Sequence, residues 1–413
     1  MKKLIISLFV FISSLFSQSW VSQNSGTTEQ IYDVFFVNDL TGYASCSGGV
    51  LLKTTNSGIN WTSLPGPYSG NIVNVVFFDS NTGIVFSNPV YKTTNAGLNW
   101  FQVASLSGTL HHSMIADSTT VYGCQPFQLS KTTDKGSNWS VTSSTPPWMT
   151  TSVYFINQFT GWVTTIQPIG MPVPTVYRAS VSKTINGGLN WLVLYTEDGP
   201  PESNLFRDTY FPTSDTGIII GKSGNSIYRT FNSGINWSEI TTGGGLTDLF
   251  FINSKTGWAV NQTGYVYKTT NTGSLWTYSA TPVSIQLNTV RFINPLTGWA
   301  VGVNGTILKS TNGGVTGITQ FTGLSPNKFS LSQNYPNPFN PQTKIKFAVP
   351  KSSFTKLIIY DLLGREVETL VNEELKPGTY EADWDGSNYS SGVYFYKIIS
   401  GDFVEIKKMV LMK

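Results

Sequence analysis

The 413-residue chain is poor in the residue types on which many active sites depend. It contains two histidines and two cysteines, and only 12% of its residues are Asp, Glu, Lys or Arg. Clustered Cys/His ligands and the G-x-S-x-G, H-E-x-x-H and P-loop motifs are absent from the sequence, so we expect neither a cofactor nor a bound metal. The net charge is only +3 and the Lys/Arg residues form no cluster, which argues against a nucleic-acid partner.

Long hydrophobic runs are also missing, except at the start of the chain. Lys2 and Lys3 precede an apolar stretch over 4–16, and Ser17-Gln18-Ser19 fits a small-x-small cleavage site. We therefore predict a signal peptide over 1–19. Its apolar stretch is too short to cross a bilayer as a helix, so no transmembrane segment is expected after its removal.

What the sequence has in abundance is a repeated nine-residue segment with turn chemistry. It occurs seven times: 53–61 (KTTNSGINW), 92–100 (KTTNAGLNW), 131–139 (KTTDKGSNW), 183–191 (KTINGGLNW), 229–237 (RTFNSGINW), 268–276 (KTTNTGSLW) and 309–317 (KSTNGGVTG). A period of about 40 residues indicates a repeat architecture. Each repeat contains four short apolar runs bounded by Gly, Asn, Ser or Thr, which predicts a four-stranded antiparallel sheet, the unit of a β-propeller.

The chemistry of the repeated segment suits a turn next to a sheet interface. In T-x-N-x-G-x-x-W, the Asn or Asp side chain can accept hydrogen bonds from amides of its own turn, and the Gly can adopt a positive φ. The Trp can bury a large apolar area against the neighbouring sheet. The segment resembles the Asp-box, or bacterial neuraminidase repeat, of sialidase-like propellers. The fuller pattern at 290–314 resembles the photosystem II stability/assembly factor-like propellers. These resemblances cover about 300 residues and imply a fold; they say little about function, because Asp-boxes lie away from catalytic sites.

The N-terminal residues suggest how the repeats close on themselves. The segment 20–23 (WVSQ) matches the residues that begin at Trp61 and Trp276, but no repeated segment precedes it. We predict that it supplies the outer strand of the last repeat, which would hide two exposed sheet edges. The fold class is then all-β: a seven-bladed β-propeller over 20–315, closed by the N-terminal strand and followed by a small Ig-like β-sandwich.

The two cysteines are expected to be buried and unpaired. Cys46 and Cys124 each lie 15 residues before the tryptophan of their repeat, so they hold one strand position in the first and third repeats. A disulfide needs Cα atoms within about 7 Å, and a whole repeat lies between these two.

The C-terminal part has a different composition and its own motifs. Residues 20–325 carry 13 Lys/Arg and 13 Asp/Glu, whereas 326–413 carry 11 and 10 in a much shorter stretch, so we place a linker at 316–328. Residues 329–413 contain QNYPNPFNP at 333–341, LIIYDLLGR at 357–365 and SGVYFY at 391–396. Their alternation and turn glycines predict a small antiparallel sandwich. This part resembles the type A C-terminal sorting domain of the type IX (Por) secretion system of Bacteroidetes and relatives. The resemblance implies delivery by that machinery, through residues 329–413, to the outside or the outer surface of a Gram-negative cell.

Two insertions suggest a binding face. Residues 168–175, expected as the second turn of the fourth repeat, and 197–204, which join it to the fifth, both fall on the face opposite the repeated segments, here called the top face. Loops that vary on a rigid scaffold often carry binding residues, although insertions can also be tolerated without a ligand. The candidates for contact with a protein or glycan ligand are Trp148, Met171, Arg178, Glu197, Asp198 and Arg207.

A second candidate site is a ring of polar residues on the first strands. Nine residues before the glycine of the Thr-Gly turn stands a small polar residue: Asp33, Asn74, Ser152, Asp208, Asp248 and Thr289, with His111 as the counterpart in the third repeat, which has no Thr-Gly pair. Together they could hold a cation or a polar ligand at the mouth of the channel. Alternatively, each side chain caps a strand or bonds the backbone of a neighbouring sheet.

The function predicted from these patterns is binding without catalysis, on an exported protein. A sialidase-like or other carbohydrate-active hydrolase, or a purely structural surface protein, is the alternative. A sialidase would need three arginines around one carboxylate, and the four arginines of the repeats (Arg178, Arg207, Arg229 and Arg291) form no evident triad.

Overall fold

The computed structural model describes residues 19–103, 112–125, 128–142, 149–170, 176–200, 206–221, 224–241, 244–274, 276–314, 318–321, 326–375, 377–386 and 389–413. The chain divides into two compact units, one over Ser19–Val315 and one that contains Thr316–Lys413. Within the described residues, the regular structure consists of β-strands and short 3-10 turns, such as the one at Ser47–Gly49, without an α-helix. The all-β prediction is therefore confirmed.

The described part of the first unit forms seven four-stranded sheets, each with antiparallel neighbours. The strand β1 is Val21–Gln23. Sheet 1 contains β2 (Ile31–Phe36), β3 (Gly42–Cys46), β4 (Leu51–Thr54) and β5 (Thr62–Leu64). Sheet 2 contains β6 (Asn74–Phe77), β7 (Gly83–Phe86), β8 (Tyr91–Thr93) and β9 (Phe101–Gln102). Sheet 3 contains β10 (His112–Ile115), β11 (Val121–Gln125), β12 (Gln128–Thr132) and β13 (Ser140–Val141).

The remaining sheets of this unit follow the same order along the chain. Sheet 4 contains β14 (Met149–Phe155), β15 (Gly161–Ile169), β16 (Val176–Thr184) and β17 (Leu192–Gly199). Sheet 5 contains β18 (Asp208–Tyr210), β19 (Gly217–Gly221), β20 (Ser226–Thr230) and β21 (Ser238–Thr241). Sheet 6 contains β22 (Leu246–Phe251), β23 (Gly257–Asn261), β24 (Tyr265–Thr269) and β25 (Thr277–Ala280). Sheet 7 contains β26 (Leu287–Phe292), β27 (Gly298–Gly302) and β28 (Ile307–Ser310), and its outer strand is β1.

Sheet 7 is thus built from both ends of the unit. Val21 pairs with Lys309 in an antiparallel ladder between β1 and β28. Just before β1, the indole N–H of the buried Trp20 donates to the carbonyl of Gly314 at 3.1 Å. The first strand after the expected leader therefore occupies the outer position in the sheet of the last repeat.

The repeated segment forms the third turn of each sheet, with the predicted side-chain chemistry. In the first copy, Thr54 Oγ1 accepts a hydrogen bond from the amide of Gly58 at 2.9 Å and donates to Asn56 Oδ1 at 3.0 Å. Asn56 Oδ1 also accepts from the amide of Asn60 at 2.9 Å. Gly58 has a φ of 83° and the preceding Ser57 one of 62°, so the turn needs the left-handed region twice in succession.

Neighbouring sheets pack through a recurring aromatic stack. In the first instance, the ring of Tyr43 on β3 lies 3.9 Å from that of Phe77 at the end of β6. The same arrangement recurs in four further pairs: Tyr122–Phe155, Trp162–Phe211, Trp258–Phe292 and Trp299–Phe36. The last of these joins sheet 7 to sheet 1, and β26 also contacts β2. Each such pair contributes about 0.5–1.5 kcal/mol beyond its buried area.

Sheet 4 corrects the expected position of the insertions. Pro168 was expected to begin a turn, but Pro168 and Ile169 continue β15 and pair with β16; Glu197 and Asp198 likewise belong to β17. The insertions therefore lengthen three strands as well as the connections between them. Pro168 is tolerated because β14 pairs with β15 only as far as Ile166, so no ladder hydrogen bond is missed on that side.

The second unit contains two four-stranded antiparallel sheets that share one core. One has the order β29 (Ile318–Phe321), β34 (Gly378–Asp385), β31 (Gln342–Val349) and β30 (Ser330–Leu331). The other has the order β33 (Glu366–Leu375), β32 (Ser353–Tyr360), β35 (Gly392–Ser400) and β36 (Phe403–Leu411). Ile345 and Phe347 of the first sheet are buried in one cluster with Leu357 and Tyr396 of the second.

Strand β29 lies in the segment that was expected to be a linker. Ile318 pairs with Ala382, so this stretch of 316–328 is an edge strand of the C-terminal unit. The linker was inferred from a lack of charge, and that property does not distinguish a linker from a short edge strand.

The two cysteines agree with the expectation. Cys46 and Cys124 are buried and unpaired, and burial raises the pKa of the Cys46 thiol to about 12.

Candidate functional site

The polar ring predicted from the sequence occupies one register on the first strands. Asp33 stands opposite Ser45, and Asp208 stands opposite Ile220. Ser45 and Ile220 each lie three residues after the residue that begins the second strand of their sheet. The same register in sheet 3 gives His112, opposite Cys124. His112 is therefore the counterpart in that sheet; His111, which was chosen from the sequence, lies outside the described residues.

Most of the ring side chains reach the backbone of another sheet. Asp33 Oδ2 accepts from the amide of Val75 at 3.4 Å, Asp208 Oδ2 from that of Leu249 at 3.1 Å, and Asp248 Oδ2 from that of Val290 at 2.8 Å. Ser152 Oγ accepts from the amide of Thr209 at 3.2 Å. Asn74 Oδ1 accepts from Ser113 Oγ, and Thr289 Oγ1 donates to Asp248 Oδ2. The structural alternative weighed above is thus confirmed for four members: they link neighbouring sheets.

Five charged or titratable side chains from sheets 1, 3, 5, 6 and 7 converge, and we call them the axial cluster: Asp33, His112, Asp208, Asp248 and Arg291. Arg291 Nη1 lies 2.7 Å from Asp248 Oδ2, and its Nη2 lies 3.6 Å from Asp33 Oδ1. His112 Nε2 lies 3.6 Å from Asp208 Oδ1. Sheets that are not neighbours along the chain therefore meet at this point.

Arg291 is the member that the sequence analysis did not assign to the site. It stands two residues after Thr289, on the same side of β26, because alternate residues of a strand share a face. The corresponding position holds Phe35 in β2, Tyr154 in β14 and Phe250 in β22. A charged residue at a position that is otherwise apolar or aromatic was the available signal.

The cluster holds an excess of negative charge in a buried setting. Burial raises the pKa of Asp33 although Arg291 opposes it, and burial together with the Asp208 carboxylate raises the pKa of Asp248 to about 6 against the same guanidinium. Burial disfavours the charge of Arg291, but the carboxylates outweigh that effect and raise its pKa. Among the described residues, Asp33 Oδ1 and His112 Nδ1 have no hydrogen-bond partner. One permanent cation, Arg291, thus faces three carboxyl groups. One carboxyl oxygen and one imidazole nitrogen of the cluster have no hydrogen-bond partner among the described residues.

These pKa directions predict that mild acid stabilises the protein. Because the pKa of Asp248 is higher in the folded protein than in the unfolded chain, the folded state takes up a proton as the pH falls from about 6 to about 4. Stability is therefore gained over that interval and lost as the pH rises through the folded pKa. We expect a higher melting temperature near pH 5 than near pH 7.5, and a smaller difference for Asp248→Asn, which resembles the protonated form. Equal pH responses of wild type and variant in thermal melts followed by circular dichroism would contradict this.

The side-chain hydrogen bonds of the described top-face candidates are made with partners outside the axial cluster. Arg178 forms two hydrogen bonds with Asp198, at 2.7 and 2.8 Å, on neighbouring strands β16 and β17. Glu197 accepts from the Tyr195 hydroxyl at 3.1 Å, and Arg207 is exposed just before β18. The other two candidates, Trp148 and Met171, lie outside the described residues.

Three of the four arginines of the first unit have separate partners. Arg178 pairs with Asp198 and Arg291 with Asp248, whereas the guanidinium carbon of Arg229 lies 4.4 Å from the centroid of the Phe231 ring. Contacts within the described part of the chain therefore do not gather three guanidinium groups around one point, the arrangement that a sialidase would need.

The described residues show neither a metal-binding cluster nor a membrane-spanning helix. They contain no group of three or more His, Cys, Asp or Glu side chains placed to hold a metal ion. None of their helices has the length and apolar character to cross a membrane.

The C-terminal unit is recognised by comparison with known families. The family described as "Secretion system C-terminal sorting domain" matches residues 333–412. Because of this match we call the C-terminal unit the sorting domain. The protein is accordingly secreted, or attached to the outer surface of a Gram-negative bacterium of the Bacteroidetes type.

The first unit is similar to known propellers. The chain is 35% identical over 60 residues to the chloroplastic photosystem II stability/assembly factor HCF136 of Guillardia theta; this covers 14% of the chain and 15% of that protein. A structure of YCF48 bound to D1 peptide matches with a TM-score of 0.58 at 18% identity, over 72% of this chain and 98% of that one. YCF48 from Cyanidioschyzon merolae gives 0.55 at 16% identity, over 71% and 98%. The first unit therefore has the fold of a β-propeller.

Another similar structure is matched by residues from both units of this chain. PorZ of Porphyromonas gingivalis, described as an essential bacterial surface component of the type-IX secretion system, matches with a TM-score of 0.50 at 13% identity. The match covers 95% of this chain and 60% of PorZ. At this identity the likeness concerns the fold alone.

Proposed function

We propose that the protein is an exported binding protein without catalytic activity. In this proposal the signal peptide over 1–19 and the sorting domain, of type A, direct the propeller to the cell surface. The propeller is a closed ring of seven blades related to Asp-box propellers, and it binds a macromolecule at the top face, at the channel mouth that the axial cluster lines.

Several contacts between the last and first sheets support the closed ring. Trp299 stacks on Phe36 at 3.5 Å, Lys309 Nζ donates to the carbonyl of Ser57 at 2.9 Å, and Asn288 donates to the carbonyl of Ile31 at 2.6 Å. They repeat, between sheets 7 and 1, the kind of contact that joins sheets adjacent in sequence.

The axial cluster is the observation that carries the choice of ligand. It combines three carboxyl groups with one arginine, and one buried oxygen of Asp33 lacks a hydrogen-bond partner among the described residues. A ligand that supplies a cationic group would balance this charge and provide the missing donor. A basic protein segment fits better than a neutral glycan. The YCF48 structure bound to D1 peptide supports a peptide as a ligand of this scaffold, although the likeness is one of fold.

The expected result is selective binding of a basic peptide. Octalysine should bind the full chain and octaglutamate should not. Asp33→Asn and Asp208→Asn should each weaken octalysine binding by about 10- to 100-fold, since a charge-assisted hydrogen bond contributes about 1.5–3 kcal/mol. Fluorescence anisotropy at low salt measures this.

The matched control is Asp39→Asn, an exposed aspartate in the first turn of sheet 1, at the other end of the strands. It should bind octalysine as wild type does. Equal binding by all variants, or none by the wild type, would rule out the axial cluster as the site. Thermal melts of each variant provide the control for folding, and we expect melting temperatures close to that of wild type because the asparagines retain an acceptor for the neighbouring amide.

A further inference from the structure

One outward face of the sorting domain is unusually apolar. On β32, β35 and β36, alternate residues such as Leu357, Ile398 and Met409 are buried in the core between the two sheets. The residues between them point to the other side. On that side Ile399 stands opposite Val404, and Val393 stands opposite Val410 at the other end of the ladder. The exposed fractions of Phe354, Val404 and Ile406 are 56%, 53% and 57%.

The other sheet of the same sandwich shows what an ordinary solvated face looks like. On its outward side, Lys344 Nζ lies 2.9 Å from a carboxylate oxygen of Glu381 and 2.9 Å from one of Asp383. An antiparallel sheet with one solvated face usually carries such polar residues on that side. The sandwich fold therefore does not itself require the apolar face on β32, β35 and β36.

On the outward side of β32, β35 and β36 the charges all have one sign, whereas the edge strand β33 of the same sheet places Glu374 opposite Phe354 and Glu366 opposite Tyr360. Lys356 stands opposite Ile399, Lys397 opposite Ile406, and Lys408 opposite Phe395. The outward positions of β32, β35 and β36 contain no Asp or Glu, and none of the three lysines forms an ion pair with a described side chain. Three cations interleaved with exposed aliphatic side chains are the complement of an acidic and partly apolar surface.

We propose that this lysine–apolar face is where the sorting domain docks onto an acidic protein surface of the secretion machinery. The proposal rests on the export route given above. Exposed apolar patches on a soluble domain commonly mark interaction sites, and the family assignment provides the partner class. Dehydration of Val404 and Ile406 supplies the driving force, and the lysines select the partner and its orientation.

The placement of the lysines favours a protein over a lipid surface. Surfaces that lie in a membrane interface separate an apolar side from a cationic one. Here Lys397 lies in the middle of a cross-strand row, between Ile358 and Ile406. Inserting the face into acyl chains would bury that ammonium group, whereas a carboxylate on a protein partner can pair with it.

The test compares two pairs of exposed aliphatic residues in the full chain. Val404→Ser/Ile406→Ser alters the face, and Leu362→Ser/Leu363→Ser, at positions 70% and 77% exposed in the turn after β32, is the matched control. In a host with a type IX secretion system, surface-exposed plus released protein is quantified by immunoblot. We expect the face variant to fall at least about tenfold, equivalent to 1.4 kcal/mol, and the control to match wild type. Equal melting temperatures exclude misfolding.

Charge reversal gives a second, independent measurement. Lys356→Glu/Lys397→Glu/Lys408→Glu should lower export more than the corresponding glutamines do, whereas Lys351→Glu, an exposed lysine in the turn before β32, should not. If glutamate and glutamine variants export like wild type, the face is not a docking site.

Two further arms separate the possible failures. Phosphatidylglycerol vesicles should not sediment the full chain; sedimentation that Val404→Ser/Ile406→Ser abolishes would assign the face to lipid and overturn the proposal. A chain truncated after Gly314 reports on the export route itself. If the truncated chain is retained while the face variants are exported normally, only the docking face is wrong; if it is exported, the route fails as well.

Discussion

A chain truncated after Gly314 is expected to remain inside the outer membrane, with essentially none reaching the surface or the medium. The truncation removes the whole sorting domain, which is the part of the chain that the family comparison identifies. Cell fractionation and protease accessibility of intact cells measure the outcome. We expect the truncated protein to be shielded from added protease, whereas the full chain is exposed.

The position of the cut matters for the interpretation. Truncation before residue 329, the boundary expected from the sequence, would leave β29 (Ile318–Phe321) without its partner β34. An unpaired edge strand invites aggregation, and retention could then result from misassembly. Truncation after Gly314 avoids this, and its melting temperature provides the control for a folded propeller. A folded truncated chain on the cell surface would show that the sorting domain is not needed for export.

Much of the fold could be predicted because each repeat contains the residues that form its own turn. The Thr54–Asn56–Gly58 pattern forms the expected hydrogen bonds, and the glycine has the expected positive φ. These are interactions within a few residues, which is where sequence patterns are most informative. Strand β29 was missed for the opposite reason: its pairing with β34 spans about 60 residues, and nothing in the local composition reports it.

The candidate site was predicted less completely, because it depends on contacts between distant sheets. The ring register followed from spacing in the repeats, but the third repeat lacks the Thr-Gly pair, and the register there selected His111 instead of His112. Arg291 was overlooked because its role appears only when β26 and β22 lie side by side, with Asp248 within 2.7 Å. The backbone hydrogen bonds of the carboxylates likewise require knowledge of which sheets are neighbours.

Trp20→Ala is expected to lower the free energy of unfolding by about 3–5 kcal/mol, the range for removing a buried aromatic side chain. Trp20 is only 1% exposed, and its indole N–H donates to Gly314. Its ring also meets Phe292 edge-on at 5.8 Å. These contacts join residues from the two ends of the propeller, so the cost should be large only if β1 completes sheet 7 in solution.

Val21→Ala is the matched control, since Val21 is the next residue and is 53% exposed. It should change the free energy of unfolding by no more than about 0.5 kcal/mol, as is usual for surface positions. Guanidinium chloride titrations of the full chain measure both, with the shift read from the propeller transition at an unchanged m value. If Trp20→Ala and Val21→Ala have equally small effects, the N-terminal strand is not part of the folded sheet. The proposal of a ring closed by pairing the two chain ends then fails. Sheets 7 and 1 would be held together by the inner contacts between β26 and β2, without a contribution from β1.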